Sequence, residues 1–103
     1  MPRSFRISEA TARRTGSALV AAGKMVQAQG PQAKGMREKG VAAFEKIHEY
    51  YPYAGSAANN IGLYHRDVTN DYRKCLEWYL KAVEREPNSQ DIVNDAALVY
   101  LFY

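Results

Sequence analysis

The sequence repeats part of itself at a spacing of 35 residues, and this feature constrains the fold more than any other. Residues between Gly40 and Pro52, and again between Asn59 and Leu63, have counterparts of similar size and polarity 35 positions downstream. The matched pairs are Gly40 and Cys75, Phe44 and Tyr79, Ile47 and Ala82, Pro52 and Pro87, Asn59 and Asn94, Ile61 and Ala96, Gly62 and Ala97, and Leu63 and Leu98. A fixed internal period of this length is typical of proteins built from stacked structural repeats.

Apolar residues recur at intervals of three and four between breaks that contain glycine and proline, which indicates a series of helices. The first helix ends at Gly30 and Pro31, because proline lacks the backbone donor needed to continue it. Ser8 is the expected cap of the first helix and Asn70 that of the fourth. The later helices are predicted at about residues 36–50, 55–67, 71–85 and 90–103. The expected core side of the fourth helix carries Leu76, Tyr79, Leu80, Ala82 and Val83. An all-α fold of about five helices follows.

The central stretch, residues 58–87, resembles one complete tetratricopeptide repeat (TPR). The TPR pattern W-x2-L-G-x2-Y, A-x3-F and P is matched as Ala58-x2-Ile61-Gly62-x2-His65, Cys75-x3-Tyr79 and Pro87. His65 stands where the pattern has Tyr, and Tyr100 restores that Tyr in the next copy. The family period is about 34 residues, and the additional residue lies in the turn at 67–71. The resemblance covers about residues 36–103 and implies a right-handed α-solenoid of antiparallel helical hairpins.

The resemblance also implies which positions hold the repeats together. Small residues at Gly62 and Ala97 let the two helices of a hairpin approach closely. The implied structural positions are Gly40, Phe44, Pro52, Ile61, Gly62, Cys75, Tyr79, Ala82, Pro87 and Ala97.

The last repeat is incomplete in this sequence, since its second helix would follow residue 103. We expect the apolar side of the final helix to be covered by residues beyond this sequence. The alternatives are burial against a second chain, which would make a homo-oligomer, and exposure with aggregation. The apolar residues concerned are Val99, Tyr100, Phe102 and Tyr103.

The first part of the chain differs in composition from the rest. The net charge is +3, but basic residues are concentrated in residues 1–40, and of twelve aromatic residues only Phe5 precedes Phe44. We therefore divide the chain into a basic N-terminal tail and helix (1–35) and a repeat region (36–103). The Arg-rich opening is also typical of an organellar transit peptide, so the expected cytoplasmic location has an organellar alternative. Nucleic acid is not the expected partner, because the arginines lack interleaved aromatics and a reader motif.

No arrangement of residues predicts an enzyme. The single cysteine excludes an internal disulfide, and His48-Glu49 lacks the second histidine of a zinc-protease helix. The turn at 67–71 lacks the glycine and glutamate of a calcium loop. Cys75 and His65 could form a nucleophile and a base, but Cys75 occupies the small buried position of its helix. We expect no catalysis, no metal, no cofactor, and no membrane span, since no apolar run approaches ~20 residues.

Binding is the function that the resemblance implies, because the first helix of each hairpin in such stacks lines a concave face used for binding. The amides of Asn59 and Asn94 can hydrogen-bond to an extended peptide backbone, and leucines supply apolar contact. The expected groove residues are Asn59, Leu63, Arg66, Asp67, Asp91, Asn94 and Leu98. We predict a scaffold for a peptide or a partner protein. The alternative is a structural or regulatory segment of a larger protein, such as an enzyme, with no ligand of its own.

Overall fold

The structure, a computed structural model, describes residues 9–52 and 54–103. Its helices are α1 (Glu9–Val26), α2 (Ala33–Tyr50), α3 (Ser56–Asp67), α4 (Tyr72–Arg85) and α5 (Gln90–Phe102). No strand occurs among these residues, and the predicted all-α fold of five helices is confirmed. Helix α2 begins at Ala33, before the predicted residue 36, and Ala33 is buried, so the added turn contributes to packing.

The turn between α3 and α4 uses a different cap from the predicted one. Asn70 has a left-handed backbone with φ of 55°, which Asn adopts more readily than most residues. The cap is Asp71, whose carboxylate accepts a hydrogen bond from the backbone N of Lys74 at 3.1 Å. The prediction of Asn70 as the cap is therefore wrong by one residue. Ser89 caps α5 through its hydroxyl, whereas the predicted cap Ser8 lies outside the described residues.

Each helix packs against the next one along the chain. The closest pairs are α1 with α2 and α3 with α4, and α2–α3 and α4–α5 pack less extensively. The α3–α4 contacts run in antiparallel order, since Gly55 lies beside Ala82 and Gly62 beside Cys75. Helix α1 also contacts α3. The helices thus pack as hairpins, consistent with a helical repeat.

The 35-residue period of the sequence is also a period of burial. Phe44 of α2 and Tyr79 of α4 are both fully buried. The period extends into α1, which the repeat pattern leaves out: Ala22, Ala57 and Ile92 are 35 residues apart and all buried. Equivalent residues therefore fill equivalent places, and α1 pairs with α2 as α3 pairs with α4.

Two glycines allow the paired helices to approach closely. A Cβ atom added at Gly62 would lie 2.5 Å from Cε1 of Tyr79 and 3.0 Å from the carbonyl oxygen of Cys75. At Gly40, an added Cβ would lie 2.9 Å from the backbone N of Val26. Ala97, the counterpart of Gly62, is exposed in the described part of the chain, where no helix lies against it.

The exposure of two side chains differs from that expected from the sequence. Leu80, expected on the core side of α4, is 52% exposed. Val99, expected to need an external cover, is 2% exposed because it packs in a cluster with buried residues of α4. The apolar residues that α5 leaves exposed at its end are Tyr100, Leu101, Phe102 and Tyr103.

Candidate functional site

The predicted groove residues lie on α3 and α5, and we call these residues the groove face. The exposed members are Asp67, Asp91, Asn94 and Leu98, and the half-buried members are Asn59, Leu63 and Arg66. Each lies within one of the two helices, so its position is set by helix packing and not by a loop.

A hydrogen bond joins α3 to α5 within this surface. The side-chain amide of Asn59 donates to a carboxylate oxygen of Asp95 at 3.2 Å. The amide of Asn59, which the sequence predicts to bind a peptide backbone, is thus used for a contact within the chain. Asn59 and Asp95 are 36 residues apart in the chain, so no local sequence pattern predicts their contact. A side-chain amide does, however, readily donate a hydrogen bond to a carboxylate. Asn59 therefore links the two helices through one hydrogen bond, and Asn94 carries the exposed amide.

The charges on α3 are paired with each other. The Arg66 guanidinium donates to both carboxylate oxygens of Asp67, with Nε 2.8 Å from Oδ1 and Nη2 3.4 Å from Oδ2. This hydrogen bond raises the pKa of Arg66, so the guanidinium stays protonated. Because the pair is partly exposed, it contributes little to stability. Its effect is to cancel the positive charge of Arg66 on the groove face.

The groove face thus combines an exposed amide, carboxylates and apolar contact area. Asp91 is exposed in the first turn of α5, where a negative charge suits the helix dipole. Leu98 is 52% exposed and follows Asn94 by four residues, so the two lie on one side of α5. Such a surface can hydrogen-bond to a peptide backbone and bury a small apolar side chain.

Cys75 and His65 are in environments that do not activate a nucleophile. Cys75 is fully buried, and burial raises the pKa of its thiol, whereas a reactive thiolate requires a lowered pKa. Nδ1 of His65 lies 3.1 Å from Oγ1 of Thr69, and its ring packs edge-on against Tyr64. Burial also lowers the pKa of His65, and Lys74 adds to this effect. The interactions of both residues are structural.

Within residues 9–52 and 54–103, no group of three or more His, Cys, Asp or Glu side chains is arranged to hold a metal ion. None of the described helices is long and apolar enough to cross a membrane.

A polar junction between α2 and α4 was not anticipated from the sequence. Arg85 donates to the backbone carbonyl of His48 and, at 3.4 Å, to that of Tyr51, so it caps the C-terminus of α2. The rings of His48 and Trp78 meet edge to face with centroids 5.2 Å apart. Lys81 Nζ lies 4.0 Å from the Trp78 ring centroid, a cation–π contact. Burial, then Arg85 and Lys81, lower the pKa of His48.

A second surface is an apolar cleft of about 390 Å³ between α4 and α5. The rings of Tyr72 and Tyr103 stack at one end of it, with centroids 4.4 Å apart. Arg73 and Glu77 are charged residues at its edge. The apolar lining residues, which we call the α4–α5 cleft, are Tyr72, Leu76, Leu80, Val99, Tyr100 and Tyr103.

Comparison of the chain with protein-family models and with curated proteins finds no match. Function is therefore inferred from the geometry of the chain itself. That geometry offers two surfaces, the groove face and the α4–α5 cleft.

Proposed function

We propose that this chain is a protein-binding scaffold, a TPR-like right-handed stack of helical hairpins that binds a peptide or a partner protein on its groove face. The sequence period of 35 residues and the burial of equivalent residues at that period support the repeat assignment. A repeat stack presents a continuous surface made of successive helices, and such proteins use it for binding. A cytoplasmic location belongs to the same proposal.

The observation that carries this proposal is the hydrogen bond from Asn59 to Asp95. It links α3 to α5, so side chains from these two helices can contribute to one binding surface. Asn94 lies one residue before Asp95 and is exposed, and its amide can both donate to and accept from a peptide backbone. Leu98 then supplies apolar contact one helical turn away.

The ligand that suits this surface is an extended segment without strong negative charge. Asp67 neutralises Arg66 at 2.8 Å, whereas Asp91 contributes an exposed carboxylate. A like charge placed beside Asp91 would be repelled. A neutral or basic peptide with a small apolar side chain fits the amide, carboxylate and leucine that are exposed.

A second candidate function is that the chain is a structural or regulatory segment of a larger protein and has no ligand of its own. The exposed aromatic and aliphatic residues of α5 favour this alternative, because a cluster of such residues marks an interaction surface. In that case changes at the exposed groove-face residues Asn94 and Leu98 would leave partner capture unaltered.

Partner capture with a matched pair of variants tests the proposal. Leu98 on the groove face and Leu80 in the α4–α5 cleft are equally exposed, at 52%. Leu98→Ser combined with Asn94→Ala should reduce capture of a groove-bound partner, whereas Leu80→Ser should not. Unchanged capture by the groove variant, with circular dichroism showing that it is folded, would contradict the proposal.

A further inference from the structure

The polar junction of α2 and α4 borders a cavity of about 450 Å³ that is separate from the groove face. We call it the α2–α4 cavity, and its lining residues are His48, Pro52, Lys81, Glu84 and Arg85. The groove face lies on α3 and α5, so the cavity is formed by other helices. Its charged side chains are two cations and one carboxylate, which leaves an excess of positive charge.

Arg85 keeps hydrogen-bond donors that the fold does not use. Its Nη1 donates to the backbone carbonyls of His48 and Tyr51, whereas no described residue accepts a hydrogen bond from its Nε or Nη2. These two atoms form one edge of the guanidinium, and in this chain the same edge of Arg66 holds the carboxylate of Asp67. Such an edge binds carboxylate or phosphate oxygens in pairs. Arg85 can therefore cap α2 and bind an oxyanion at the same time.

Lys81 adds a second positive charge that the chain leaves without a counter-ion. Its Nζ lies 4.0 Å from the Trp78 ring centroid. Among the described residues, no carboxylate oxygen lies within 4.0 Å of the charged nitrogens of Lys81 or Arg85, although Glu84 lines the same cavity. An anion from outside the chain would meet two cations that are not already neutralised.

His48 reports the sign of the electrostatic potential at this cavity. Burial lowers its pKa first, and the charges that lower it further are Arg85 and Lys81. Its buried Nδ1 has no hydrogen-bond partner within the described part of the chain, and a buried polar atom in this situation commonly pairs with a water or an ion. The potential and the unpaired atom both favour an anion beside the ring.

The repeat itself does not require this arrangement. Lys46 and Glu49 stand 35 residues before Lys81 and Glu84, but Tyr50 stands where the second copy has Arg85. The pair of cations is therefore specific to the second copy, and its role is not to maintain the repeat.

We propose that the α2–α4 cavity binds the phosphate group of a phosphorylated side chain of a partner protein, held by the guanidinium edge of Arg85 and by Lys81. This goes beyond the proposed function, because the groove ligand carries no strong negative charge. A phosphorylated side chain has a charge of about −2 and three acceptor oxygens, so it can accept from both cations together. A carboxylate has one charge and two oxygens, and is expected to bind more weakly.

The lining of the cavity favours a phosphorylated side chain over a nucleotide. The volume of about 450 Å³ exceeds that of a phosphate group and leaves room for the side chain that carries it. A nucleotide base would need an aromatic face for stacking. Among the lining residues only His48 has an aromatic ring, and this ring packs edge to face against Trp78. Glu84 opposes any anion, but it is exposed, so its carboxylate can turn towards solvent.

The two histidines of the chain provide a test with an internal control. The intact chain is titrated at constant ionic strength with inorganic phosphate, and then with N-acetyl-phosphoserine amide, while NMR follows both imidazole rings. The signals of His48 should shift to saturation, and its pKa should rise, because a bound anion favours the protonated ring. His65, which does not line the cavity, should not respond. No response of His48, or an equal response of both rings, would overturn the proposal.

Other small molecules identify the kind of anion. Acetate should bind about tenfold more weakly than N-acetyl-phosphoserine amide, since it loses the hydrogen bonds of the third oxygen and one charge. Acetate that binds as tightly would overturn the preference for phosphate. Adenosine monophosphate that binds more tightly than the serine derivative would also overturn the proposal, by identifying a nucleotide as the ligand.

Variants locate the site. Lys81→Gln should weaken binding of N-acetyl-phosphoserine amide about tenfold, whereas Lys46→Gln, an exposed lysine at the equivalent position of α2, should leave binding unchanged. Glu84→Gln should tighten binding by removing a like charge. Arg85→Lys keeps the charge but loses the paired donors, so it should weaken binding, with circular dichroism as the check on folding. If Lys46→Gln weakens binding as much as Lys81→Gln does, the anion is not held in the cavity and the proposal is wrong.

Discussion

Gly62 of α3 lies directly against the ring of Tyr79 of α4, and this contact sets the spacing of the central hairpin. A Cβ atom at residue 62 would be 2.5 Å from Cε1 of Tyr79, which is closer than Cβ atoms approach in real structures. Tyr79 is fully buried, so its ring has little room to move. The hairpin therefore depends on the absence of a side chain at one position.

Replacing Gly62→Ala should lower stability by about 1 to 3 kcal/mol, because overpacking moves the Tyr79 ring or separates the helices. Gly35→Ala is the matched control, since Gly35 lies in α2 with open space around its Cβ position. The control should raise stability by up to about 1 kcal/mol through helix propensity. Urea unfolding followed by circular dichroism measures both. A Gly62→Ala chain as stable as the control would contradict the proposed helix contact.

Cys75 should react slowly with a thiol reagent in the native chain, because it is fully buried and its pKa is raised by burial. Labelling should become fast in denaturant. Cys75→Ala should remain folded at a cost of about 1 kcal/mol for the lost packing atom. Labelling of native Cys75 as fast as that of the unfolded chain would show that the thiol is accessible.

The bond between Asn59 and Asp95 should appear as a coupling energy. In a double-mutant cycle with Asn59→Ala and Asp95→Ala, the double variant should be destabilised by about 1 kcal/mol less than the sum of the two single variants. This difference is expected for a partly buried hydrogen bond between the two side chains. The control cycle pairs Asn59→Ala with Asn94→Ala, for which the effects should add. If the losses of stability are additive in both cycles, the result contradicts a hydrogen bond between Asn59 and Asp95.

Acidification should destabilise the chain through His48. Its pKa is lowered by burial and by Arg85 and Lys81, so the unfolded chain binds the proton more readily. Stability from this group is then present above its ordinary pKa of about 6.5 and is lost as pH falls through the lower folded pKa. Replacing His48→Gln should flatten this part of the pH profile. Unfolding at several pH values compares the variant with wild type, and an NMR titration that gives His48 a pKa above 6.5 would reverse the sign.

His65→Gln is the comparison for that experiment, because burial and Lys74 lower the pKa of His65 in the same direction. Each substitution should remove part of the pH dependence, and together they should remove all of the histidine contribution. If the stability of the double variant depends on pH as that of the wild type does, the histidines do not cause the acid destabilisation.

The helices and the repeat register could be predicted from the sequence because they depend on local spacing. Phe44 and Tyr79 are 35 residues apart and both fully buried, as equivalent core positions should be. The packing of α1 against α2 could not be predicted, because Ala22 is a small residue in an Ala-rich helix and nothing in the sequence distinguishes it from its neighbours. Only the structure shows that Ala22 is buried in the cluster with Phe44 and Ile61.

Contacts between residues far apart in the sequence could not be predicted either. Arg85 caps α2 through the backbone carbonyls of His48 and Tyr51, and a backbone acceptor leaves no mark on the sequence. Val99 and Tyr100 are adjacent and similarly apolar, yet 2% and 72% exposed respectively, since only the packing of α5 on α4 distinguishes them. The repeat register predicts which residues belong to the groove face, but the use of Asn59 for an internal hydrogen bond depends on the distance between α3 and α5.

Site-specific photo-crosslinking tests the central claim, that the groove face binds the partner, most directly. A photoreactive amino acid is placed at Asn94 on the groove face and, in a control chain, at Ala42, an exposed position of α2. Both chains are first shown to be folded and to capture the same partner. The account predicts crosslinks to the partner from position 94 and none from position 42. Crosslinks from position 42 with none from position 94 would contradict it.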